Sequence, residues 1–564
     1  MDTQNPYKWN VMIFLAGNNS LSEECVYGLT EVLDARINGS TAIFAQLNTG
    51  VHRGTFLNLR EFRDRDQLHK QLNRELSEQR AASATKIRDF ERRSFQRRIF
   101  DFVQQCLGTP ENSHRADHYM LILAGHGNGI LGEFLREDDR DVQFKKSAHM
   151  NLMNLGGLIE KIDVELLDGK KIDVLGMDSC LMAMTEIAYG VHNHVKVMIG
   201  AEGFEPMAGW PYHQIMEQVS EVPDDLNELG RRMVDEYIDF YTIYQAANLS
   251  VDLAASDLSE TVMVMKAIRS LADALEPLLE SYPVEYQDMD IEKPPVSVVV
   301  RDAVLLAHWE AQLYKNEQYV DIYDFCTLLK ARLSHQEEYK PVRRACQNVL
   351  NAIAGAEKQR KIEGKKWEEG LADDNFKAPW PRRRRRKEDD RPEEDERWMK
   401  PVNFQEAQGF VLKSCYSGWV VQYSYGVSVY FPWSEIPADM EEYEELNFAS
   451  DSRWAKFLKA YLRATKRDPR PGKGESPTCF APPILRENFS VEQTTFVGHR
   501  NGESNRNGES NRNGESNRGL TNMIGSMQNP ATDFWECPEF VTPNRNRRWV
   551  RVEESKLVSS SQKR

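Results

Sequence analysis

The chain reads as an α/β protein: a central, mostly parallel β-sheet flanked by helices, with helical additions and a disordered C-terminal tail. Three features of the 564 residues lead there. Apolar runs of strand length recur through the first half of the sequence. They are continuous rather than alternating, which suits strands covered on both faces. Helix-length segments separate most of them, the rhythm of a sheet built from crossover connections.

The runs, in order, are Val11 to Ala16 (VMIFLA), Ala42 to Leu47 (AIFAQL), Tyr119 to Ala124 (YMLILA), Ile172 to Met177 (IDVLGM) and Val195 to Ala201 (VKVMIGA). From Asn248, NLSVDLAASDLSETVMVMKAIRSLADALEPLL adds a sixth strand and a long amphipathic helix. YVDIYDFCTLLKARL and RACQNVLNAIAG then have helical spacing, and YGVSVYFP is a late strand. The expected division is a core at 1–355, a charged linker or insertion at 356–400, a second part of the same fold at 401–466, and a tail at 467–564. Pro381 to Arg397 is a basic block followed by an acidic one, the composition of a solvated loop. The tail repeats NGESNR and has nothing to bury; TDFWECPEFV within it is a candidate docking segment.

Composition narrows the function. A formal net charge of −15 disfavours a nucleic-acid partner, because neutralising phosphates needs a basic face, and suits a cationic substrate. Eight cysteines without a CxxC pair fit neither a disulfide framework nor a zinc site. The first apolar run is too short to span a membrane and has no basic segment before it. A cytoplasmic protein with reduced thiols and no membrane association is expected.

Two strand ends carry chemistry. YMLILAGHGNGI places His126 between glycines directly after a strand, and KIDVLGMDSCLMAMTEIAYG ends a strand at Cys180. In an open parallel sheet, side chains at the carboxyl ends of strands leave the core and meet ligands. Gly125 and Gly127 leave space for a substrate main chain beside His126. LMAMTEIAYG is helical, so Cys180 is expected at a helix N-terminus, where the dipole and a nearby histidine favour the thiolate. Asp178 projects to the same side if the strand continues to Cys180. A carboxylate there raises the thiol pKa, so its use is to hold a cationic substrate side chain.

LAGHGNG and GMDSCLMAMTEIA resemble the two catalytic motifs of the clostripain-related cysteine peptidases, family C11 of the caspase-like clan CD. NLSVDLAASDLS, YVDIYDFC, YGVSVYFP and WAKFLKAYL resemble later landmarks of that family, so the likeness runs from about Trp9 to Leu462. The caspase signature around the cysteine is absent.

The resemblance implies a caspase-like sandwich and a cysteine endopeptidase that cuts proteins after Arg, less often Lys. It implies Cys180 as nucleophile, His126 as general base and later acid, and an oxyanion hole from the backbone N–H groups of Gly127 and Cys180. Asp178 would line the pocket for the basic residue. Relatives carry a second acid in the next loop; here AEGFEPMAGW has Ala208 at that place, so Glu202 or Glu205 is expected to substitute. No metal or cofactor is required, although calcium is a possible modulator through acidic loops such as Glu137 to Asp141. Relatives are processed after the histidine loop, which points to Arg136, Arg140, Lys145 or Lys146 as sites where an upstream protease or the enzyme itself converts a zymogen. Expected partners are proteins with exposed Arg or Lys, an activating protease and a regulatory protein. Membership of a bacterial antiviral defence cascade is a further implication. A catalytically idle scaffold acting through protein binding is the competing reading.

Overall fold

The computed structural model describes residues 6–48, 54–62, 64–81, 94–137, 148–221, 224–243, 249–281, 294–314, 318–355, 409–418, 420–433, 437–465, 539–543 and 549–553. Its strands are β1 (Tyr7–Ala16), β2 (Thr41–Asn48), β3 (Thr55–Asn58), β4 (Ala116–Ala124), β5 (Glu133–Glu137), β6 (Ala148–Asn151), β7 (Ile172–Asp178), β8 (Val195–Gly200), β9 (Val251–Asp257), β10 (Leu313–Tyr314), β11 (Tyr319–Asp321), β12 (Val411–Ser417) and β13 (Ser428–Tyr430). The first eleven helices are α1 (Ser22–Val32), α2 (Arg65–Ala81), α3 (Phe95–Cys106), α4 (Leu155–Leu166), α5 (Thr185–Val191), α6 (Tyr212–Glu221), α7 (Leu226–Thr242), α8 (Thr261–Glu280), α9 (Val296–Glu310), α10 (Ile322–Arg332) and α11 (Lys340–Ala354).

Eight strands form one sheet in the order β12-β9-β8-β7-β4-β1-β2-β3. The five central strands, which carry the long apolar runs, pair in parallel; β9, β12 and β3 add antiparallel edges. The continuous runs have the expected cause. In β1, Met12 and Phe14 enter one core while Val11 and Ile13, equally buried, face the other side. Helices α1, α6 and α7 pack together over the second face, and α3, α4, α5 and α8 over the first. Residues 409–465 belong to the same body: β12 closes the sheet at one edge, and the helix Trp454–Thr465 packs on α8.

Three local differences from the sequence reading stand out. YGVSVYFP does yield a strand, but β13 lies in a small separate sheet with β10 and β11. The start of YVDIYDFC is strand β11, and helix α10 begins at Ile322, where Asp321 accepts the Asp324 N–H as its cap. The eighth strand of the main sheet is VLKSCYS, a polar segment whose Lys413 is buried against Asp235.

Residues 472–564 form a second unit, in which Glu539–Pro543 pairs antiparallel with Trp549–Glu553. The first strand of that hairpin overlaps the end of TDFWECPEFV, the candidate docking segment. The NGESNR repeats, the 381–397 segment and the rest of the tail lie outside the described residues. Among the described residues no helix is long and apolar enough to cross a membrane.

Candidate active site

The sheet register brings three strand ends to one level. Leu15 of β1 pairs with Ala124 of β4, and Ala124 pairs with Asp178 of β7. His126 and Cys180, each two residues further along neighbouring parallel strands, therefore leave the sheet side by side. The loop after β1, with Ser20, leaves beside them. Glycine is required at 127: an added Cβ would lie 2.4 Å from the Cys180 carbonyl oxygen and 3.0 Å from the Ser179 Cβ. The histidine loop and the cysteine loop thus touch main chain to main chain.

The chain turns sharply after the nucleophile candidate. Leu181 takes a left-handed φ of 64°, a conformation that costs a branched residue and persists where the surroundings impose it. The surroundings here are a ladder: Leu181 N–H donates to the Gly203 carbonyl at 2.9 Å, and Met182 and Ala183 N–H both donate to the Ala201 carbonyl. This ladder overturns the expected helix N-terminus at Cys180. The helix α5 begins only at Thr185, so no helix dipole reaches the thiol. Instead, the Glu205 N–H donates to the Cys180 sulfur at 3.2 Å. Burial, followed by the charge of Glu205, pushes the thiol up to about 12, with the Glu205 N–H pulling the other way and Asp178 adding to the rise. A thiol raised in this way needs a base beside it before it can act as a nucleophile.

His126 is anchored through its backbone: its carbonyl accepts the Leu135 N–H at 2.8 Å, and the preceding Gly125 N–H donates to the Asp178 carbonyl at 3.1 Å. Its Nε2 lies 3.0 Å from Ser20 Oγ.

Two acids sit behind the sulfur. Asp178 and Glu205 are 7% and 6% exposed. Tyr212 O–H donates to Asp178 Oδ2 at 2.8 Å, and Gly209, at a φ of 68°, brings its main chain against the same carboxylate. Trp210 Nε1–H donates to Glu205 Oε1 at 3.3 Å, and the Glu205 carboxyl also hydrogen-bonds with Asp178. Trp210 reaches this place because Gly176 has no side chain: a Cβ there would meet the indole at 3.0 Å. Burial first, then the neighbouring Asp178 charge, raises Glu205 well above the ordinary range for a carboxyl. Burial also raises Asp178, against the pull of Tyr212, Glu205 and the Trp210 backbone. Two facing carboxyls in one buried place cannot both ionise easily, which favours one proton shared between them.

The structure separates the two expected substitutes for the missing acid. Glu205 joins Asp178; Glu202 turns the other way, accepts the Gly426 N–H at 2.6 Å and lies beside Asp321. Its own N–H donates to Asp252, which together with the Gly203 N–H contact fixes the start of the loop. Glu202 thus braces the loop that carries Glu205 and does not face the Asp178 side chain. Arg136 lies in β5, its carbonyl bound by Asn19 Nδ2 at 2.7 Å. Arg140, Lys145 and Lys146, and the acids Asp138 to Asp141, lie outside the described residues. Among the described residues no group of three His, Cys, Asp or Glu side chains is arranged to hold a metal ion.

Sequence reasoning missed Ser20, Trp210 and Tyr212. Ser20 had a usable signal, since GNNS follows an apolar strand as GHGNG and DSC do. Trp210 and Tyr212 sit in a loop whose return toward β7 no local pattern announces.

The sequence matches a known family. Residues 96–461 match the model of the clostripain family, peptidase C11. Clostripain of Hathewaya histolytica is 23% identical over 289 residues, covering 45% of this chain and 51% of that protein, so the chain spans about half the length of this curated relative. Among solved structures, a secreted C11 cysteine protease of Bacteroides thetaiotaomicron bound to an irreversible peptide inhibitor is 13% identical, with a TM-score of 0.45, covering 79% of this chain and 99% of that one. An inactive zymogen of a C11 protease from Parabacteroides distasonis is 18% identical, with a TM-score of 0.39, over 79% and 98%. The family match carries the assignment.

Proposed function

The chain belongs to the clostripain family, and from that premise we propose that it is a cysteine endopeptidase that hydrolyses proteins after Arg, less readily after Lys. The observation that carries the specificity is the buried Asp178–Glu205 pair next to the Cys180 sulfur. A guanidinium is planar and offers parallel donors to such a pair, whereas an ammonium offers a point contact.

In the proposed reaction His126 takes the thiol proton as Cys180 attacks the carbonyl carbon after the basic residue. The N–H groups of Gly127 and Cys180 receive the oxyanion, and His126 then passes the proton to the leaving amine. Water, activated by the same histidine, hydrolyses the thioester and restores the thiol.

We propose further that the chain is made as a zymogen cut at Arg140, Lys145 or Lys146. Arg136 is the weakest of the four candidates, because a protease would have to strip β5 away from Asn19 to reach it. Cys25, Cys106, Cys180, Cys326 and Cys346 are in the thiol form, which supports a reducing, cytoplasmic setting.

A peptide library randomised at the residue before the cut tests the specificity. Arg should be preferred over Lys, with Asp not cleaved. An acidic or apolar preference would overturn the pocket assignment.

A further inference from the structure

The hydroxyl at Ser20, 3.0 Å from His126 Nε2, takes no part in the steps above. We propose that Ser20 is a positioning residue: it accepts the Nε2–H of His126 and so assigns Nδ1 to the proton exchange with Cys180. The inference rests on His126 and Cys180 being base and nucleophile.

The hydroxyl is exposed, yet its main chain is held on both sides. Asn19 is buried, and its side-chain amide donates to the Ala16 carbonyl at 2.9 Å and the Arg136 carbonyl at 2.7 Å. Its Oδ1 accepts the Leu21 N–H at 2.8 Å, and its main-chain carbonyl accepts the Ser22 hydroxyl at 2.7 Å. The serine therefore rides on a fixed turn. His126 rides on another, fixed through Leu135 and Asp178. The two turns leave adjacent parallel strands whose register is set by Leu15 against Ala124.

A neutral imidazole has two tautomers, and the one protonated at Nε2 carries its lone pair on Nδ1. A hydroxyl accepting at Nε2 favours that form. It also favours the imidazolium produced by proton transfer, in which both nitrogens donate. Ser20 keeps its own proton throughout: the thiol proton moves to Nδ1 and from there to the leaving amine. With the opposite polarity, Ser20 donating to Nε2, the ring proton would sit on Nδ1 and the base would be disabled.

Nitrogen-15 NMR of the full chain carrying labelled histidine reads the tautomer, with His126→Gln identifying the resonance. The Nε2–H form is expected, shifting to a mixture in Ser20→Ala. In the same variant kcat on an arginyl peptide should fall about 3- to 10-fold, the worth of one neutral hydrogen bond. KM should stay within roughly twofold, since no substrate contact is removed. Ser20→Thr, which keeps the hydroxyl, should restore both tautomer and kcat. A wild-type Nδ1–H tautomer overturns the proposal. So does a Ser20→Ala chain with unchanged tautomer and turnover, or a threonine variant as impaired as the alanine. If the wild-type chain cleaves no peptide, the reading of function fails, while the nitrogen shifts still decide the Ser20 contact.

Discussion

The main-chain N–H of Glu205 donates to the Cys180 sulfur at 3.2 Å, while the side chain of the same residue faces Asp178. One residue thus touches both the nucleophile and the proposed specificity pocket. Its position follows from the braces beneath it, the Glu202 and Gly203 N–H bonds to Asp252.

A proton shared by Asp178 and Glu205 would compete with a guanidinium for the proposed pocket. Burial raises both groups, so the folded pair keeps its proton at a pH where exposed carboxyls have lost theirs. A cation that binds must expel it. Calorimetry of an arginyl peptide binding to Cys180→Ala, in two buffers of different ionisation enthalpy, should show release of up to about one proton per site. KM of the active enzyme should fall as pH rises through the titration of the pair, because deprotonation favours the cation. Absence of proton release, or a KM that rises over that range, contradicts the shared proton.

Asp178→Asn removes the charge that a guanidinium requires while keeping the shape. Charge-assisted hydrogen bonds contribute about 1.5–3 kcal/mol, so kcat/KM for an Arg peptide should fall roughly 10- to 100-fold. Discrimination against a neutral residue should shrink with it. Glu205→Gln should fall in the same direction, with Trp210 Nε1–H still satisfied by the amide oxygen. Glu202→Gln should alter stability rather than selectivity, since Glu202 faces Gly426 and Asp321. Equal specificity profiles for Asp178→Asn and the wild type would remove the pocket from the account.

Gly127→Ala inserts a Cβ 2.4 Å from the Cys180 carbonyl. The cysteine loop is pinned by its three N–H bonds to residues 201 and 203 and cannot yield without breaking them. We expect a loss of about 1–3 kcal/mol of stability, and a much larger loss of turnover because the two catalytic loops separate. Thermal unfolding and peptide turnover measured together check this; near-normal turnover would show that the loops are not held at contact distance.

Much of this was legible in the sequence, for physical reasons. Strands buried on both faces leave continuous apolar runs, so β1, β2, β4, β7 and β8 announced themselves. Edge strands do not: Val411–Ser417 carries a lysine and two serines in place of an apolar run. His126 and Cys180 were findable because each interrupts a strand's apolar end. The environment of the thiol was not. Whether MAMTEIA begins its helix at Cys180 or at Thr185 depends on the ladder to residues 201 and 203, a long-range contact that no local pattern records. The choice between Glu202 and Glu205 is likewise set by Asp252, some fifty residues downstream.

The central claim is that the Cys180 thiol attacks the carbonyl of a residue whose positive charge Asp178 and Glu205 hold. An electrophilic ketone built on arginine, incubated with the intact chain and followed by peptide mapping, tests this in one step. The account predicts a single adduct on Cys180, formed much faster than with the aspartyl analogue, slowed in Asp178→Asn and abolished in His126→Ala. An adduct on another residue, or equal labelling by the aspartyl analogue, would contradict it.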